Sequence, residues 1–378
     1  MTLNTAVRVL CASFALWGSP ELCGQGEIQG TFLPPGRLPT HAPPGAVYLG
    51  PSACSQCHPA EAATQQSTAM ANTLQAAADS PILRSHPRLE FKSGGYFYQI
   101  VRENNNLVYR VTDGVETISE PLLWALGLGE AGQTYVYKHK GDYYESRVSF
   151  YNDIRGLDFT IGAIRPVPTA LEEAAGWKMS PARVRECFGC HSTGAVRESR
   201  LTIDLLIPGI TCEGCHGAGG KHVAAIQARN EREARRQIFD PGKLSTEQLS
   251  EFCGSCHGTF SRVVESRISG ISNVRFQPYR LSNSRCYNPD DRRISCVACH
   301  NPHKQVEREP LSYDSKCLAC HAPLSRKTGT EERRSAACPV ATYRCVACHM
   351  PKYEIPGSHF SFTDHWIRVV RANEHYPD

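Results

Sequence analysis

Cysteine and histidine recur together in this sequence at a fixed spacing. Seven five-residue motifs each contain two cysteines three positions apart and a histidine directly after the second cysteine. We number them in chain order: motif 1, Cys54–His58; motif 2, Cys187–His191; motif 3, Cys212–His216; motif 4, Cys253–His257; motif 5, Cys296–His300; motif 6, Cys317–His321; motif 7, Cys345–His349. Two thiols at this spacing can each add to one vinyl group of a porphyrin, and the following imidazole can bind the iron. The spacing therefore predicts covalently attached c-type haem.

This prediction gives a role to every cysteine and histidine of the motifs. The thioether cysteines are Cys54, Cys57, Cys187, Cys190, Cys212, Cys215, Cys253, Cys256, Cys296, Cys299, Cys317, Cys320, Cys345 and Cys348. The proximal iron ligands are His58, His191, His216, His257, His300, His321 and His349. A zinc half-site or a thioredoxin-like pair also uses CxxC, but neither requires the histidine that follows every pair here. We expect seven haem c groups on one chain.

The spacing of the motifs also limits the fold. Six of them lie within the 163 residues from Cys187 to His349, about 27 residues for each. A separate hydrophobic core around each haem would need more protein than this, so we expect the haems to pack together and serve as the core. The predicted fold class is α+β with little regular secondary structure, in which short helices surround the haems.

Between motifs 1 and 2 the composition changes to aromatic and β-branched residues without cysteine. Tyr96–Arg102 and Leu107–Thr112 predict one hairpin, and Thr134–Lys140 and Tyr143–Phe150 predict a second, with Gly141-Asp142 as its turn. We expect an inserted antiparallel β module of four or five strands. Strong helix formers after motif 1 predict a helix over residues 59–78.

These patterns divide the chain into five segments. They are a secretory signal peptide (1–25), an arm rich in proline and glycine (26–47), a first haem segment (48–86), the β module (87–165) and a six-haem cytochrome domain (166–378). The arm should not pack against the fold, and no later stretch is apolar for long enough to span a bilayer. Covalent haem attachment takes place outside the cytoplasm, so we expect a periplasmic or extracellular protein.

Four cysteines lie outside the motifs. Cys11 and Cys23 fall in the expected signal peptide. Cys286 and Cys338 each precede a haem motif by a few residues, and in an oxidising compartment we expect them to form one disulfide, with free thiols as the alternative.

The formal charge of +4 omits the cofactors. About fourteen propionates, and about one positive charge on each of seven ferric porphyrins, would bring the oxidised protein to roughly −3. The basic side chains therefore do not indicate a nucleic-acid partner, and we expect many of them to pair with propionates.

Three stretches give a more specific resemblance: GITCEGCHGAGGKHV, SCVACHNPHK and CVACHMPKYEIPGSHFSFTDHWIR. They resemble multihaem c-type cytochromes of the cytochrome c-552/4 and doubled-CxxCH type, related to the electron acceptor of hydroxylamine oxidoreductase. The resemblance implies an electron carrier with mainly bis-histidine haems. It also implies that His222, His303 and one or both of His359 and His365 bind the iron of a neighbouring haem.

The residues themselves indicate the same distal ligands and three more. His222 and His303 each follow a motif closely enough to reach a neighbouring iron. His86 lies before the first predicted strand, and His139 beside a predicted turn, where a surface position is the alternative. Met70 follows motif 1 and could be a methionine ligand or a packing residue. Eight histidines remain for seven irons, so we expect five or six bis-histidine haems and one or two with methionine or no sixth ligand.

Two functions are compatible with such an array. The first is an electron carrier between redox proteins, since bis-histidine irons have no open position. The second is a multihaem oxidoreductase that acts on a small nitrogen or sulfur compound at one open or weakly ligated haem. We expect the carrier, and no catalytic acid–base constellation is visible in the sequence. Peripheral association with membrane redox complexes, oligomers and filaments are all compatible with the sequence.

Overall fold

A computed structural model describes residues 41–104, 106–163, 167–321, 338–371 and 373–377. All of them belong to one compact unit. The expected signal peptide, and the arm as far as residue 40, lie outside the described residues, as do Cys11 and Cys23.

Short helices and strands alternate along the described chain. The helices are α1 Pro51–Ser55, α2 Pro59–Gln65, α3 Pro81–Ser85, α4 Leu171–Ala175, α5 Pro181–His191, α6 Cys212–His216, α7 Gly220–Gln227, α8 Glu231–Arg236, α9 Thr246–His257, α10 Phe260–Glu265, α11 Gln277–Ser282, α12 Cys296–Cys299, α13 Asp314–His321 and α14 Cys345–His349. The strands are β1 Leu74–Ala76, β2 Arg88–Ser93, β3 Tyr96–Glu103, β4 Asn106–Thr112, β5 Thr117–Leu126, β6 Gln133–His139, β7 Asp142–Tyr151, β8 Gly156–Phe159, β9 Gly176–Lys178, β10 Ser192–Thr193, β11 Val196–Arg197, β12 Arg200–Leu201, β13 Ile207–Pro208, β14 Lys352–Glu354 and β15 Ser361–Thr363. The predicted α+β class is confirmed. Within the described ranges, no helix combines the length and apolar composition needed to cross a membrane.

Nine strands form one antiparallel sheet between motifs 1 and 2. Strands β2 to β8 are adjacent in chain order, while β1 pairs with β5 and β9 pairs with β7. The ring centroids of Phe91 on β2 and Phe159 on β8 lie 5.2 Å apart, so the two end strands approach each other and the sheet curls. Its concave side buries a core rich in tyrosine, including Tyr98, Tyr109 and Tyr135, which have no exposed surface. The module therefore has a hydrophobic core of its own.

Both predicted hairpins are confirmed, but the strand count was too low. Strands β3 and β4 pair from Phe97–Thr112 to Glu103–Asn106, as the alternating pattern indicated. The second hairpin turns at Lys140-Gly141 rather than Gly141-Asp142, because φ is +50° and +89° at these residues and a two-residue turn of this kind needs positive φ at both. Among the additional strands, β1, β8 and β9 have only three or four residues, and β5 carries a register shift, which weakens an alternating signal.

Helix α5, which carries motif 2, packs on the outside of the sheet. Trp124 of β5 meets Phe188 of α5 edge to face, with ring centroids 5.9 Å apart, and Met179 and Val184 are buried in the same cluster. A register shift between Leu122 and Trp124 marks a bulge in β5. The helix that carries motif 2 is thus held in place by packing against the β module.

The helix predicted over residues 59–78 ends much earlier. Helix α2 ends at Gln65, and the chain then turns and enters strand β1. The Gln65 amide donates to the Ile210 carbonyl at 2.7 Å, and the Thr68 hydroxyl donates to the Gln65 carbonyl at 2.7 Å. These bonds satisfy the backbone and side chains in a turn, so the segment packs against the residues before motif 3 instead of continuing as a helix.

The described end of the arm packs against the fold, which differs from the expectation. Ala42 is buried and its N–H donates to the Val196 carbonyl at 2.8 Å. The Val47 carbonyl accepts a hydrogen bond from the Gly220 N–H at 3.0 Å. The arm thus joins two haem motifs that are distant in sequence, since Val196 follows motif 2 and Gly220 follows motif 3.

The expected disulfide between Cys286 and Cys338 is not formed. Both are exposed free thiols, and the described residues contain no disulfide. The alternative of free thiols is the arrangement in this structure.

Candidate functional site: a chain of seven haem-attachment motifs

Each motif lies in or at the end of a short helix. Motifs 2, 4 and 6 close the helices α5, α9 and α13, while motifs 3 and 7 are single helical turns, α6 and α14. Helical residues three positions apart lie on one face, so the two cysteines of a motif can reach the same porphyrin edge. Helix α9 begins with a capping box, in which Ser245 and Gln248 bond reciprocally. The sequence places the attachment cysteines at fixed points of these turns.

Cysteines of different motifs meet in pairs. Hydrogen bonds join the thiols of Cys54 and Cys212 (motifs 1 and 3), Cys190 and Cys256 (motifs 2 and 4), Cys253 and Cys296 (motifs 4 and 5), and Cys317 and Cys345 (motifs 6 and 7). Cys215 lies close enough to Cys253 to raise the pKa of its thiol, after the larger effects of Cys296 and burial. Cys299 likewise lies close enough to Cys317 to raise the pKa of its thiol, after the larger effects of burial and Cys345. The motifs thus form an unbroken path in space.

The order along this path differs from the order in the sequence. It runs through motifs 1, 3, 4, 5, 6 and 7, and motif 2 joins it at motif 4. Helix α9 therefore borders three other motifs. Because the resemblance alone did not give an order in space, this arrangement comes from the structure.

Three proximal histidines are oriented by main-chain carbonyls. The Nδ1 atoms of His191, His216 and His349 bond to the carbonyl oxygens of Thr73, Phe239 and Arg368 at 3.2, 2.9 and 2.8 Å. A histidine that binds a metal through Nε2 usually donates its Nδ1–H to such an acceptor, which fixes the tautomer and the ring orientation. In this orientation, the Nε2 atom of each imidazole is available to bind an iron.

The surroundings of the motif residues fit a large planar group. None of the fourteen motif cysteines is buried, although free cysteine is normally among the most buried residue types. His257 has an exposed side chain, yet the protein around it lowers the pKa of its imidazole by desolvation. A side chain that borders a space inside the fold is desolvated by the surrounding protein and still has accessible surface. Haem c, held by two thioethers and an imidazole, fits this donor set.

Two pairs of imidazoles face each other across such spaces. The ring centroids of His216 and His303 lie 5.9 Å apart with planes only 8° from parallel. Those of His300 and His365 lie 6.3 Å apart at 44°. Two imidazoles bound to one metal from opposite sides by bonds of about 2 Å have centroids about 6 Å apart. Each pair joins a proximal histidine to a distal candidate from another part of the chain.

His222 and His86 share the orientation of the proximal ligands. Their Nδ1 atoms bond to the carbonyls of Ala234 and Ile82 at 2.8 and 3.0 Å, which leaves Nε2 available. His86 also borders a cavity of about 400 Å³ beside Phe150 and Arg155.

The two remaining candidate histidines bond to carboxylates. The Nδ1 of His139 lies 2.7 Å from Glu120 Oε1, and its side chain is only 12 % exposed, so it is not a surface residue. The Nε2 of His359 lies 2.8 Å from Asp158 Oδ2, on the β module. Met70 lies in the turn after α2, and its carbonyl accepts a hydrogen bond from the Ile210 N–H at 2.8 Å. That contact brings the Met70 backbone next to motif 3.

Sequence reasoning missed the residues that hold the C-terminal ligand segment. Arg280 and Asp364 form an ion pair with no exposed side-chain surface, and Arg368 bonds to the same carboxylate at 2.7 Å. Asp364 directly precedes His365. The sequence contained one indication, the acidic Asp364 next to the candidate ligand His365. It did not indicate that Arg280 is the partner of Asp364.

The chain is similar to known haem proteins over part of its length. A family model for cytochrome c3 matches residues 206–322, and a model for cytochrome c554 and c-prime matches residues 168–217. A protein named multiheme cytochrome MtrA from Shewanella baltica (strain OS185) is 26% identical over 212 residues, which cover 52% of each chain. The chain thus spans about half the length of the curated relative it matches. No solved structure gives a significant match.

These matches agree with the resemblance inferred from the motifs and cover five of the seven. The spaces beside the motif histidines fit the cofactor that the family descriptions imply, which is haem c. The matches and the seven motifs together support a multihaem c-type cytochrome.

Proposed function

We propose that this chain carries electrons through seven covalently bound haems. Haem c supplies reversible one-electron transfer between ferric and ferrous iron. The observation that carries the proposal is the series of interactions between cysteines of different motifs, from Cys54 and Cys212 to Cys317 and Cys345. Thioether bonds at these cysteines would hold successive haems close to one another, which is what a chain of electron transfers requires.

The imidazole pairs support bis-histidine ligation of two haems. We assign His303 as the distal ligand at motif 3 and His365 as the distal ligand at motif 5, since each faces a proximal histidine at about 6 Å. An iron with two imidazoles has no position for a substrate. These two haems therefore pass electrons and do not bind small molecules.

The other distal assignments rest on which imidazole nitrogens are free. His222 and His86 keep Nε2 available, and we propose that each binds the iron of a neighbouring motif. We assign His359 to a structural hydrogen bond instead, because its Nε2 is bonded to Asp158. His139 bonds to Glu120 through Nδ1, and its buried Nε2 has no hydrogen-bond partner in the described structure, so His139 stays a proposed distal ligand. Met70 is the ligand proposed for a haem that lacks a second histidine.

The location and partners follow from the cofactor. Haem is attached to such motifs outside the cytoplasm, so we propose a periplasmic or extracellular protein. Its partners would be redox proteins that donate and accept electrons at the ends of the array.

Intact mass and electron counting test this proposal. The mature protein should exceed its polypeptide mass by seven haems, and a reductive titration should consume seven electrons per chain. An excess of six haems or fewer would show that a motif is unused.

Electron paramagnetic resonance separates the carrier from the alternative, an oxidoreductase for a small nitrogen or sulfur compound. The carrier requires low-spin ferric signals to account for the bis-histidine haems. A high-spin signal that changes when such a compound is added would favour the enzyme.

A further inference from the structure

Glu213, inside motif 3, is a buried carboxylate that holds the first haem segment. It has only 2% of its surface exposed. Its Oε2 accepts hydrogen bonds from the N–H groups of Gly50 at 2.7 Å and Leu49 at 3.0 Å, and its Oε1 accepts one from Gly219 at 2.7 Å. The side chain thus ties the residues before motif 1 to motif 3 and to Gly219, which follows motif 3.

The local sequence permits this close approach. Gly50 has φ of +82°, which L side chains rarely adopt. A side chain at Gly219 would meet Glu213 Oε1 at 3.2 Å. The two glycines therefore allow backbone N–H groups to surround the carboxylate, and these groups supply the hydrogen bonds that a buried charge needs.

Glu213 lies beside the attachment cysteines of two motifs. It follows Cys212 in the chain, and the Cys212 thiol is hydrogen-bonded to Cys54. Gly50, held by Glu213, accepts a hydrogen bond from the Cys54 thiol at 3.7 Å. No lysine or arginine in the described part of the chain forms an ion pair with Glu213, so its charge is compensated by main-chain dipoles alone.

We propose that Glu213 is a positioning residue that also lowers the reduction potentials of the haems on motifs 1 and 3. This inference rests on the proposed electron-transfer function and adds the effect of one residue on two of the haem potentials. A ferric haem carries one more positive charge than a ferrous haem, so a nearby buried anion stabilises the ferric state. The effect is large where water is excluded and small for an exposed carboxylate. Loss of the Glu213 charge should therefore raise the potentials of these two haems.

Potentiometry of a Glu213→Gln variant tests the inference. Glutamine has nearly the same shape but no charge. We expect two of the seven haems to titrate at higher potential than in the unchanged protein, while the other five stay in place. Glu61→Gln is the matched control, because Glu61 is an exposed carboxylate in the same haem segment. Its removal should shift the potentials much less.

A second measurement identifies the two haems. Nuclear magnetic resonance during reduction of the unchanged protein and of Glu213→Gln follows the haem methyl signals, and those of the haems at motifs 1 and 3 are recognised by their proximity to the Leu49 side chain. These haems should be the two whose potentials rise. A rise confined to other haems would overturn the inference.

The outcomes separate this inference from the proposed function. Seven haems with unchanged potentials in Glu213→Gln, or an equal shift in Glu61→Gln, would refute the role of Glu213 alone. Fewer than seven haems in the unchanged protein would refute the seven-haem array instead.

Discussion

Arg280 and Asp364 form a bidentate ion pair with no exposed side-chain surface. Arg280 Nε lies 2.8 Å from Asp364 Oδ1, and Arg280 Nη2 lies 2.9 Å from Oδ2. The guanidinium also packs between Trp366 and Tyr376, 4.9 and 4.6 Å from the ring centroids. Because Asp364 precedes His365, this pair fixes the segment that brings His365 opposite His300.

Asp364→Asn should therefore weaken both the fold and the ligation at motif 5. The substitution leaves the buried charge of Arg280 without its partner, and such a loss typically costs about 3–5 kcal/mol. We expect a loss of that order in urea unfolding and the appearance of a high-spin ferric signal. The control is Asp79→Asn, which removes an exposed ion pair with Arg84 and should cost under about 1 kcal/mol. An Asp364→Asn protein with wild-type stability would contradict this role.

Replacement of His303 or His365 by alanine should each free one distal position. One low-spin signal should be lost and one high-spin signal gained, and added imidazole should restore the original spectrum. His375→Ala is the control, because His375 is an exposed histidine of the C-terminal tail and should leave the spectrum unchanged. A His303→Ala protein that remains fully low-spin would show that another residue binds the haem at motif 3.

The tyrosine core of the β module should make it sensitive to alkali. Burial raises the pKa of Tyr98 to about 12 and raises those of Tyr109 and Tyr135 further. The unfolded chain loses these protons near pH 10, while the folded module retains them. The stability is therefore complete below about pH 10 and falls as the pH rises towards 12, by up to about 1.4 kcal/mol per pH unit for each tyrosine. Urea unfolding followed by circular dichroism at pH 9, 10 and 11 would measure it.

Two tyrosine variants serve as a matched pair for that measurement. The Tyr109 hydroxyl donates to the Ala175 carbonyl at 2.9 Å, whereas the buried Tyr135 hydroxyl has no hydrogen-bond partner in the described structure. Tyr109→Phe should cost about 1 kcal/mol at pH 7, and Tyr135→Phe should be neutral or stabilising. Both should reduce the slope above pH 10, and an unchanged slope would show that other groups cause the alkaline loss.

The two free cysteines should differ in reactivity. Main-chain N–H groups of Ala341 and Val340 lower the pKa of the exposed Cys338 thiol, and burial raises that of Cys286. Because the thiolate is the nucleophile, iodoacetamide at pH 8 should label Cys338 roughly threefold faster or more. Peptide mass spectrometry would give the two rates. Absence of labelling at both positions would indicate that the predicted disulfide forms in the mature protein.

Local patterns in the sequence predicted local structure well. The alternating residues of Tyr96–Arg102 and Leu107–Thr112 predicted the first hairpin, because this signal depends on neighbouring residues. The helix after motif 1 was predicted too long, since Gln65 bonds to Ile210, which no local pattern reveals. The pairing of His216 with His303 and the burial of Glu213 also depend on contacts between distant segments. Such contacts require the folded chain.

The position of helix α9 between motifs 2, 3 and 5 has a consequence for the topology of the haem array. A linear wire has two termini, whereas an array with one branch point has three. Damage at the haem of motif 4 would divide this network into separate fragments, while damage at the haem of motif 2 would leave a continuous route from motif 1 to motif 7. In the proposed array, the third terminus is the haem of motif 2, whose helix packs against the β module.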